Sequence, residues 1–225
     1  NLTYLPQKET MNTQISSSAM TVESLYNLYA EGKLIVNRKY QRKLVWTYEE
    51  KAKFIDSIYN KYSVPLLLLS NSESTENEGY EIIDGMQRLN AICSFIESEF
   101  PLTINDEKKY FDLSIKTSTN IAMNDGFLSQ KNPVLSKEVC TQIINYQIPV
   151  SIILNGAEQD IEEIFRRINS YGRQLSRQEI RQAGAVGLFS DLVRRLASKI
   201  RRDSSPKDIL TLNKMKDISL SNRKL

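Results

Sequence analysis

The sequence predicts an α/β or α+β fold, because short apolar runs of strand length alternate with segments of helical period. The clearest example is residues 80–96, where Tyr80-Glu81-Ile82-Ile83 has the β-branched character of a buried strand. Residues 86–96 then place four apolar side chains on one helical face, those of Leu89, Ile92, Cys93 and Ile96. A second helical crossover precedes this one, and two such crossovers between short strands are typical of this fold class.

The first part of the chain shows clear signals for where helices begin. Residues 1–20 are polar and serine-containing, and we expect an irregular lead-in there. Thr21 is positioned to cap a helix over 22–31, which Gly32 would end. Residues 34–36 then predict a strand. Thr47 and Glu50 form a capping box before a second helix, and residues 65–69 predict a strand after it.

The second part begins with a stretch of no clear period, residues 101–134. We expect an insertion there, with one short strand near 110–113. Ser136 would cap a helix through 144, residues 148–154 predict a strong strand, and residues 158–169 keep helical spacing. A second capping box, Ser176 with Glu179, and a leucine-striped helix over 186–200 follow.

Composition excludes several kinds of chemistry. The 225 residues contain no histidine, so neither a histidine general base nor a histidine-containing metal site or catalytic triad is available. The two cysteines, Cys93 and Cys140, lie among apolar residues without metal-ligand spacing, and we expect reduced core thiols. With no signal-peptide pattern and no apolar run of membrane-spanning length, the chain is expected to be cytoplasmic, with no membrane partner.

Charge is distributed unevenly along the chain. Residues 1–165 carry 15 Lys/Arg against 22 Asp/Glu, a net charge of −7, whereas residues 166–225 carry 15 against 5, a net charge of +10. The basic part is a candidate surface for DNA or another polyanion. The alternative is a solvated basic helix face without a partner.

The 84–88 turn, Asp84-Gly85-Met86-Gln87-Arg88, carries the main functional signal. Strand, glycine turn and helix follow one another, so unpaired N–H groups and the positive end of the helix dipole favour an anion there. Arg88 adds a fork of donors suited to phosphate oxygens, and Asp84 is a candidate ligand for Mg²⁺. The alternative is purely structural, with Asp84 capping the helix and Arg88 on the surface.

Three segments, in this order and spacing, resemble one family. They are Tyr40-Gln41-Arg42 followed by Trp46, then Asp84-Gly85-Met86-Gln87-Arg88-Leu89, then Ile168-Asn169 with Gly172, Leu175-Ser176 and Glu179. Together they resemble the N-terminal domain of GmrSD-type modification-dependent restriction systems, over roughly residues 20–200. The resemblance implies a ParB/sulfiredoxin-like core with a small mixed sheet, an insertion and C-terminal helices.

The resemblance also assigns residues to roles. The family's aspartate-glycine-x-glutamine-arginine signature falls on the 84–88 turn and implies catalytic roles for Asp84, Gln87 and Arg88, with Asp84 as the metal ligand. Implied nucleotide-binding residues are Tyr40, Gln41, Arg42, Gly85, Asn169 and Gly172. Met86 departs from the family, which most often has glutamine there, so this chain lacks a side-chain amide at that position.

The resemblance implies an NTP-binding, often NTP-hydrolysing, domain that uses Mg²⁺ and regulates DNA cleavage in defence against phage. The nucleotide-binding core would span 21–160, and a basic helical extension 161–225. Expected partners are the nucleoside triphosphate, DNA that carries a modification in some systems, and a fused or separate histidine-containing nuclease domain. A homo-oligomer is a further possibility that the sequence leaves open. The alternatives are a DNA-binding module without NTPase activity and, less favoured, a metal-dependent ParB-like nuclease using Asp84 and Glu179.

Overall fold

The computed structural model describes residues 14–37, 44–72, 79–154, 158–171, 209–214 and 216. The strands in these ranges are β1 (Gln14–Thr21), β2 (Leu34–Asn37), β3 (Leu67–Ser72), β4 (Gly79–Asp84), β5 (Leu102–Ile104), β6 (Glu107–Lys109), β7 (Gln147–Leu154) and β8 (Ile209–Thr211). The α-helices are α1 (Val22–Ala30), α2 (Tyr48–Tyr59), α3 (Met86–Ile96), α4 (Thr117–Asn124), α5 (Lys137–Ile144) and α6 (Glu158–Tyr171). This alternation confirms the predicted α/β class.

The predicted helix caps are confirmed by hydrogen bonds to the orphan N–H groups of the first turns. Thr21 Oγ1 accepts from the Ser24 N–H of α1 at 3.0 Å. Thr47 Oγ1 accepts from the Glu50 N–H at 3.3 Å, and Glu50 Oε2 accepts from the Thr47 N–H at 2.8 Å, which completes the capping box of α2. Ser136 Oγ accepts from the Val139 N–H of α5 at 3.4 Å.

Within the described ranges, one mixed sheet of six strands forms the centre, in the order β1-β7-β3-β4-β2-β8. The pairs β7–β3 and β4–β2 are parallel, and β1–β7, β3–β4 and β2–β8 are antiparallel. Parallel pairs need crossover connections, and in the chain α2 lies between β2 and β4, while α3 and α5 lie between β3 and β7. β5 and β6 form a separate two-stranded hairpin.

Side chains on both faces of this sheet are buried, which explains why its central strands read as continuous apolar runs. Leu67, Leu69 and Ile82 pack into the main core with α1, α2, α3 and α5. Leu68 and Ile83, their chain neighbours, point to the other face and pack with Ile161, Ile164 and Phe165 of α6. This doubly covered arrangement is typical of sheets that contain parallel strands.

Helix α3 runs through the main core. Every residue from Leu89 to Ile96 is buried, including Cys93, and burial raises the pKa of that thiol. Burial likewise raises the pKa of Cys140 to about 11, so both cysteines are protonated, unreactive core thiols at neutral pH. The stretch with the strongest strand–helix signal thus occupies the middle of the fold.

Two structural predictions were wrong in part. Residues 14–20 of the supposed irregular lead-in belong to β1, which pairs with β7 along its whole length. The insertion at 101–134 contains the β5–β6 hairpin, a 3₁₀ turn at Leu113–Ile115 and α4, whereas the strand expected near 110–113 is reduced to a single bridge between Tyr110 and Val134. In both places the strands lack a clear alternation of apolar and polar residues, so their pairing could not be predicted from the hydrophobic period.

Candidate functional site

The 84–88 turn joins the end of β4 to the start of α3. Asp84 is the last residue of the strand, and Gly85 is the N-cap, with φ at +104° and no side-chain cap. The Leu89 N–H donates to the Gly85 carbonyl at 2.9 Å, which closes the first helical turn. As at every helix start, the N–H groups of the first turn point away from the helix and not at carbonyls within it.

Gly85 is required by two independent features of the turn. Its positive φ lies where residues with a Cβ are strained. A Cβ at this position would also lie 2.3 Å from Leu67 Cδ2 and 3.2 Å from Arg88 Nη2. The absence of a side chain thus allows the strand, the turn and the arginine to approach one another closely.

Arg88 folds back over the turn and does not extend into solvent. This differs from the exposed position expected from the sequence. Its Nη2 donates to Asp84 Oδ2 at 2.7 Å and to the Leu66 carbonyl at 3.1 Å. The side chain is only 15% exposed, and its Nε is buried without a hydrogen-bond partner. A buried guanidinium donor of this kind is costly to leave unpaired.

Asp84 does not have the helix-capping role that the structural alternative gave it. Gly85 occupies the cap position, so Asp84 does not cap α3. Its carboxylate pairs with Arg88 while 36% of the side chain remains exposed. One carboxylate oxygen is thus engaged, and the group is accessible from the surface.

Gln87 connects the helix to the 44–47 segment that precedes α2. Its Oε1 accepts from the Val45 N–H at 3.0 Å and from the Trp46 N–H at 3.3 Å. The side-chain amide of Gln87, for which a catalytic role was predicted, therefore bonds the backbone of the 44–47 segment. Sequence reasoning missed this role because the two partners lie about 40 residues away, with no shared periodicity.

A pocket of about 210 Å³ opens over the turn. Asp84, Gly85, Met86, Gln87 and Arg88 line it together with Trp46. Met86 is itself nearly buried, so the position where the family most often has an amide contributes an apolar floor. A larger pocket of about 410 Å³ lies where α2 and α5 end, but its lining of Lys61, Gln142, Asn145 and Tyr146 includes none of the turn residues.

Of the remaining predicted site residues, only Asn169 belongs to the described part of the chain. Tyr40, Gln41, Arg42, Gly172 and Glu179 lie outside the described residues. Asn169 lies in the last turn of α6, whose earlier residues pack on the opposite sheet face from α3. No group of three or more Asp, Glu, Cys or His side chains suited to a metal occurs among the residues that the structure describes.

Four cations of the basic region are described, Arg166 and Arg167 in α6 and Lys214 and Lys216 after β8. Arg166 and Arg167 both pair with Glu163, at 2.6 Å and 2.8 Å, and their hydrogen bonds lower the pKa of that carboxyl group. Arg167 and Arg166 are well exposed and spaced one helical turn from the glutamate, so these are surface pairs of small energetic weight. The predicted capping box at 176–179 and the helix over 186–200 lie outside the described residues.

Fold and site together define a mixed α/β domain in which a strand, an Asp-Gly turn and a buried helix form an anion-suited surface under a folded-back arginine. The chain belongs to the family described as GmrSD restriction endonuclease, N-terminal domain, which matches residues 22–185. This confirms the family that the three motif segments indicated.

Comparison with individual proteins adds little beyond the family. Among solved structures, the chain is similar to a Pnob8-like ParB-N domain at 11% sequence identity and a TM-score of 0.35, and the alignment covers 96% of this chain and 64% of that one. No curated protein matches the chain. None of the described helices is long and apolar enough to cross a membrane.

Proposed function

We propose that this chain binds a nucleoside triphosphate with Mg²⁺ at the 84–88 turn and thereby regulates DNA cleavage by a nuclease domain of the same restriction system. The observation that carries the proposal is the Arg88 guanidinium, which is held beside the open first turn of α3 with a buried, unpaired Nε. Donors converging on a glycine turn suit phosphate oxygens better than any uncharged ligand.

The turn offers several contacts for the phosphates of the ligand. The N–H groups of Met86, Gln87 and Arg88 and the positive end of the α3 dipole would face the phosphates. Gly85 has no side chain, and this lets the Arg88 guanidinium lie close to the backbone of the turn, beside the pocket. Arg88 would neutralise phosphate charge without losing its hold on the Leu66 carbonyl.

A single carboxylate is enough for a Mg²⁺ that arrives with a nucleotide, because this ion keeps several waters and takes other ligands from the phosphates. Asp84 is the residue that would hold it, since its carboxylate is accessible and lines the pocket. Bound Mg²⁺ supplies charge neutralisation of the phosphate oxygens. Hydrolysis, where it occurs, would rest on positioning and electrostatics, with Gln87 and Arg88 ordering the site.

Family resemblance extends the proposal to Asn169 at the end of α6 and to residues outside the described part. Arg42 would neutralise phosphates. Asn169 and Gly172 would orient the nucleotide or its metal. The nuclease domain, fused or separate, would supply the histidine chemistry that this chain lacks.

Calorimetric titration with each Mg-NTP in turn tests the proposal. Wild-type protein should bind, and Arg88→Ala should lose about ten- to a hundred-fold in affinity, as for a charge-assisted hydrogen bond worth about 1.5–3 kcal/mol. Arg88→Lys should recover only part, because the ammonium lacks the planar fork. Lys109→Ala, which removes a surface cation paired with Glu107, is the matched control.

Arg88 also bonds within the fold, so each variant needs a denaturant unfolding curve to show that it is native. A natively folded Arg88→Ala with unchanged affinity would place the nucleotide elsewhere. A chain that binds no NTP but binds DNA with a steep salt dependence would favour the DNA-binding alternative. Metal-dependent DNA cleavage lost in Asp84→Ala would favour the direct nuclease.

A further inference from the structure

Trp46 is the one aromatic side chain among the described residues that line the pocket over the 84–88 turn. It is also the single tryptophan of the chain. Its indole is half-buried, with the ring centroid 5.8 Å from that of Phe54 and the two planes inclined by 59°. The ring therefore has one side packed on the core and contributes surface to the pocket.

The position of Trp46 is fixed from both directions along the chain. Its own N–H and that of Val45 donate to Gln87 Oε1, so the side chain of a pocket residue holds the backbone that carries the indole. The next residue, Thr47, is locked by the capping box of α2. An aromatic ring held in this way loses little conformational freedom when a flat ligand stacks on it.

The surroundings of the turn divide into a polar and an apolar part. The polar part comprises Asp84, Arg88 and the open helix start. The apolar part comprises the side chains of Val45 and Leu66. Both residues adjoin the turn through hydrogen bonds of their backbone, since the Val45 N–H donates to Gln87 and the Leu66 carbonyl accepts from Arg88. The Val45 and Leu66 side chains are 63% and 45% exposed, so apolar surface lies in the open beside a site suited to anions.

We propose that Trp46 forms a base subsite, in which the indole stacks on the nucleobase while the phosphates lie at the start of α3. This inference rests on the proposed nucleotide-binding function. A triphosphate gains nothing from an indole, whereas a nucleobase offers a flat face that stacks on an aromatic ring lining the pocket. Stacking accepts every base, so the subsite favours purines over pyrimidines only modestly.

The single tryptophan makes its own fluorescence a reporter of the subsite. Wild-type protein is titrated with Mg-ATP and, separately, with Mg-tripolyphosphate, which has the phosphates but no base. Mg-ATP should quench the Trp46 emission and bind about 5- to 150-fold more tightly, the range expected for one stacked base. Tripolyphosphate should bind without quenching.

Variants then separate stacking from folding, with affinities read by calorimetry. Trp46→Leu should lower the affinity for Mg-ATP towards that for tripolyphosphate and leave tripolyphosphate binding unchanged. Trp46→Phe keeps an aromatic ring on Phe54 and should retain an intermediate preference for Mg-ATP. Tyr48→Leu, which removes a neighbouring exposed aromatic that stacks on Phe100, is the matched control and should change neither affinity.

Each outcome points to one conclusion. Equal binding of Mg-ATP and tripolyphosphate, or a natively folded Trp46→Phe and Trp46→Leu with wild-type preference for Mg-ATP, would overturn the base subsite and leave nucleotide binding at the turn intact. Failure of folded wild-type protein to bind either ligand would overturn the proposed function itself. Loss of both affinities in Trp46→Leu alone would assign the indole to supporting the turn and would also reject the subsite.

Discussion

At the level of single residues, Gly85 makes the sharpest prediction about the turn. Gly85→Ala introduces a methyl group 2.3 Å from Leu67 Cδ2 at a φ of +104°. Strain of this kind costs about 1–3 kcal/mol, and the clash with a buried leucine adds to it. We expect a lower free energy of unfolding by urea denaturation, and weakened Mg-NTP binding because the turn must shift.

Gly126→Ala is the matched control for this substitution. Gly126 also has a positive φ, +79°, but a Cβ there would meet no heavy atom within 4 Å. Only the left-handed backbone cost of roughly 1–2 kcal/mol applies, and nucleotide affinity should stay at the wild-type value. Equal destabilisation by both alanines would show that the close approach at Gly85 is energetically unimportant.

Asp84 allows the metal contribution to be separated from the phosphate contribution. Asp84→Asn retains an oxygen that accepts from Arg88 but removes the negative charge that suits Mg²⁺. Wild-type affinity for an NTP should fall when Mg²⁺ is replaced by EDTA, whereas the affinity of Asp84→Asn should be nearly the same in both. Calorimetry measures the four affinities.

Asp125→Asn, an exposed aspartate at the end of α4, is the control for loss of one carboxylate charge. It should keep the wild-type response to EDTA. A metal response that persists unchanged in Asp84→Asn would move the ion to other ligands, including residues outside the described ranges.

At the level of elements, helix ends were the most predictable features of this chain. The caps at Thr21, Thr47 and Ser136 are local, because a side-chain oxygen bonds an N–H three residues on. The strand–glycine–helix order at 80–96 was equally local. β1 was not predictable in this way, since its serines have no apolar alternation and its hydrogen-bond partners belong to β7, more than 120 residues later.

The hairpin in the insertion did leave a signal that was overlooked. Asn105 and Asp106 both have positive φ, 50° and 62°, and they join β5 to β6 as a two-residue turn. Adjacent Asn and Asp are among the residues that tolerate this conformation, and the β-branched Thr103 and Ile104 precede them, so the pair marks a hairpin. Alternation in such short, exposed strands is too weak to be read as a period.

The backbone conformation of the candidate site could be predicted from the sequence, but the hydrogen-bond partners of its side chains could not. The Asp-Gly break and the helix start were identified from residue order alone. The bonds from Arg88 to the Leu66 carbonyl and from Val45 and Trp46 to Gln87 depend on how β3 and the 44–47 segment pack beside α3. Such tertiary contacts carry no sequence period, which is why the pocket role of Trp46 emerged only from the structure.

Gln87 should control the order of the 44–47 segment. Gln87→Ala removes the acceptor shared by the Val45 and Trp46 N–H groups, so the segment loses its tie to α3. We expect the Trp46 emission to shift to the red as the indole becomes more hydrated, together with weaker Mg-NTP binding. Steady-state fluorescence of the ligand-free protein measures the first effect.

Gln142→Ala provides the matched control, since Gln142 also ties one element to another by donating to the Tyr59 carbonyl at 2.6 Å. Its loss should leave the Trp46 emission unchanged. An unshifted emission in natively folded Gln87→Ala would mean that the Phe54 contact and the α2 capping box hold the segment without Gln87.

At the level of the whole molecule, the far end of α3 joins the last described part of the chain to the core. β8 pairs with β2 at one edge of the sheet, and Lys216, shortly after it, bonds the carboxylates of both Glu97 and Glu99. Tyr29 of α1 hydrogen-bonds Glu97 as well. A buried cluster of ionisable groups therefore ties together α1, α3 and the segment at 209–216.

Burial and charge shift the pKa values in this cluster upward. Burial raises the pKa of Tyr29 and of Tyr26 well above the ordinary 10.0, and the nearby Glu97 charge adds to both effects. Burial alone would lower the pKa of Lys216, but Glu97 and Glu99 outweigh it, and the pKa rises above the ordinary 10.5. Burial also raises the pKa of Glu97, against the opposing effect of Lys216.

These shifts predict that the protein loses stability at alkaline pH. A group whose pKa is higher in the folded state contributes stability below its unfolded pKa and loses it as the pH rises towards the folded value. The loss should therefore begin near pH 10, where the tyrosines of the unfolded chain ionise, and each such group weakens folding by about 1.4 kcal/mol per pH unit. Urea denaturation at stepped pH values measures the slope.

Tyr29→Phe tests which group sets this slope. Phenylalanine fills the same core space and cannot ionise, so above pH 10 the free energy of unfolding should fall less steeply than in wild type, while near pH 7 the lost Glu97 hydrogen bond costs about 1 kcal/mol. Tyr62→Phe, at a tyrosine that is 63% exposed, should keep the wild-type slope. If Tyr29→Phe also keeps that slope, the alkaline loss arises from Tyr26 or Lys216, and the slopes of Tyr26→Phe and Lys216→Met would separate the two.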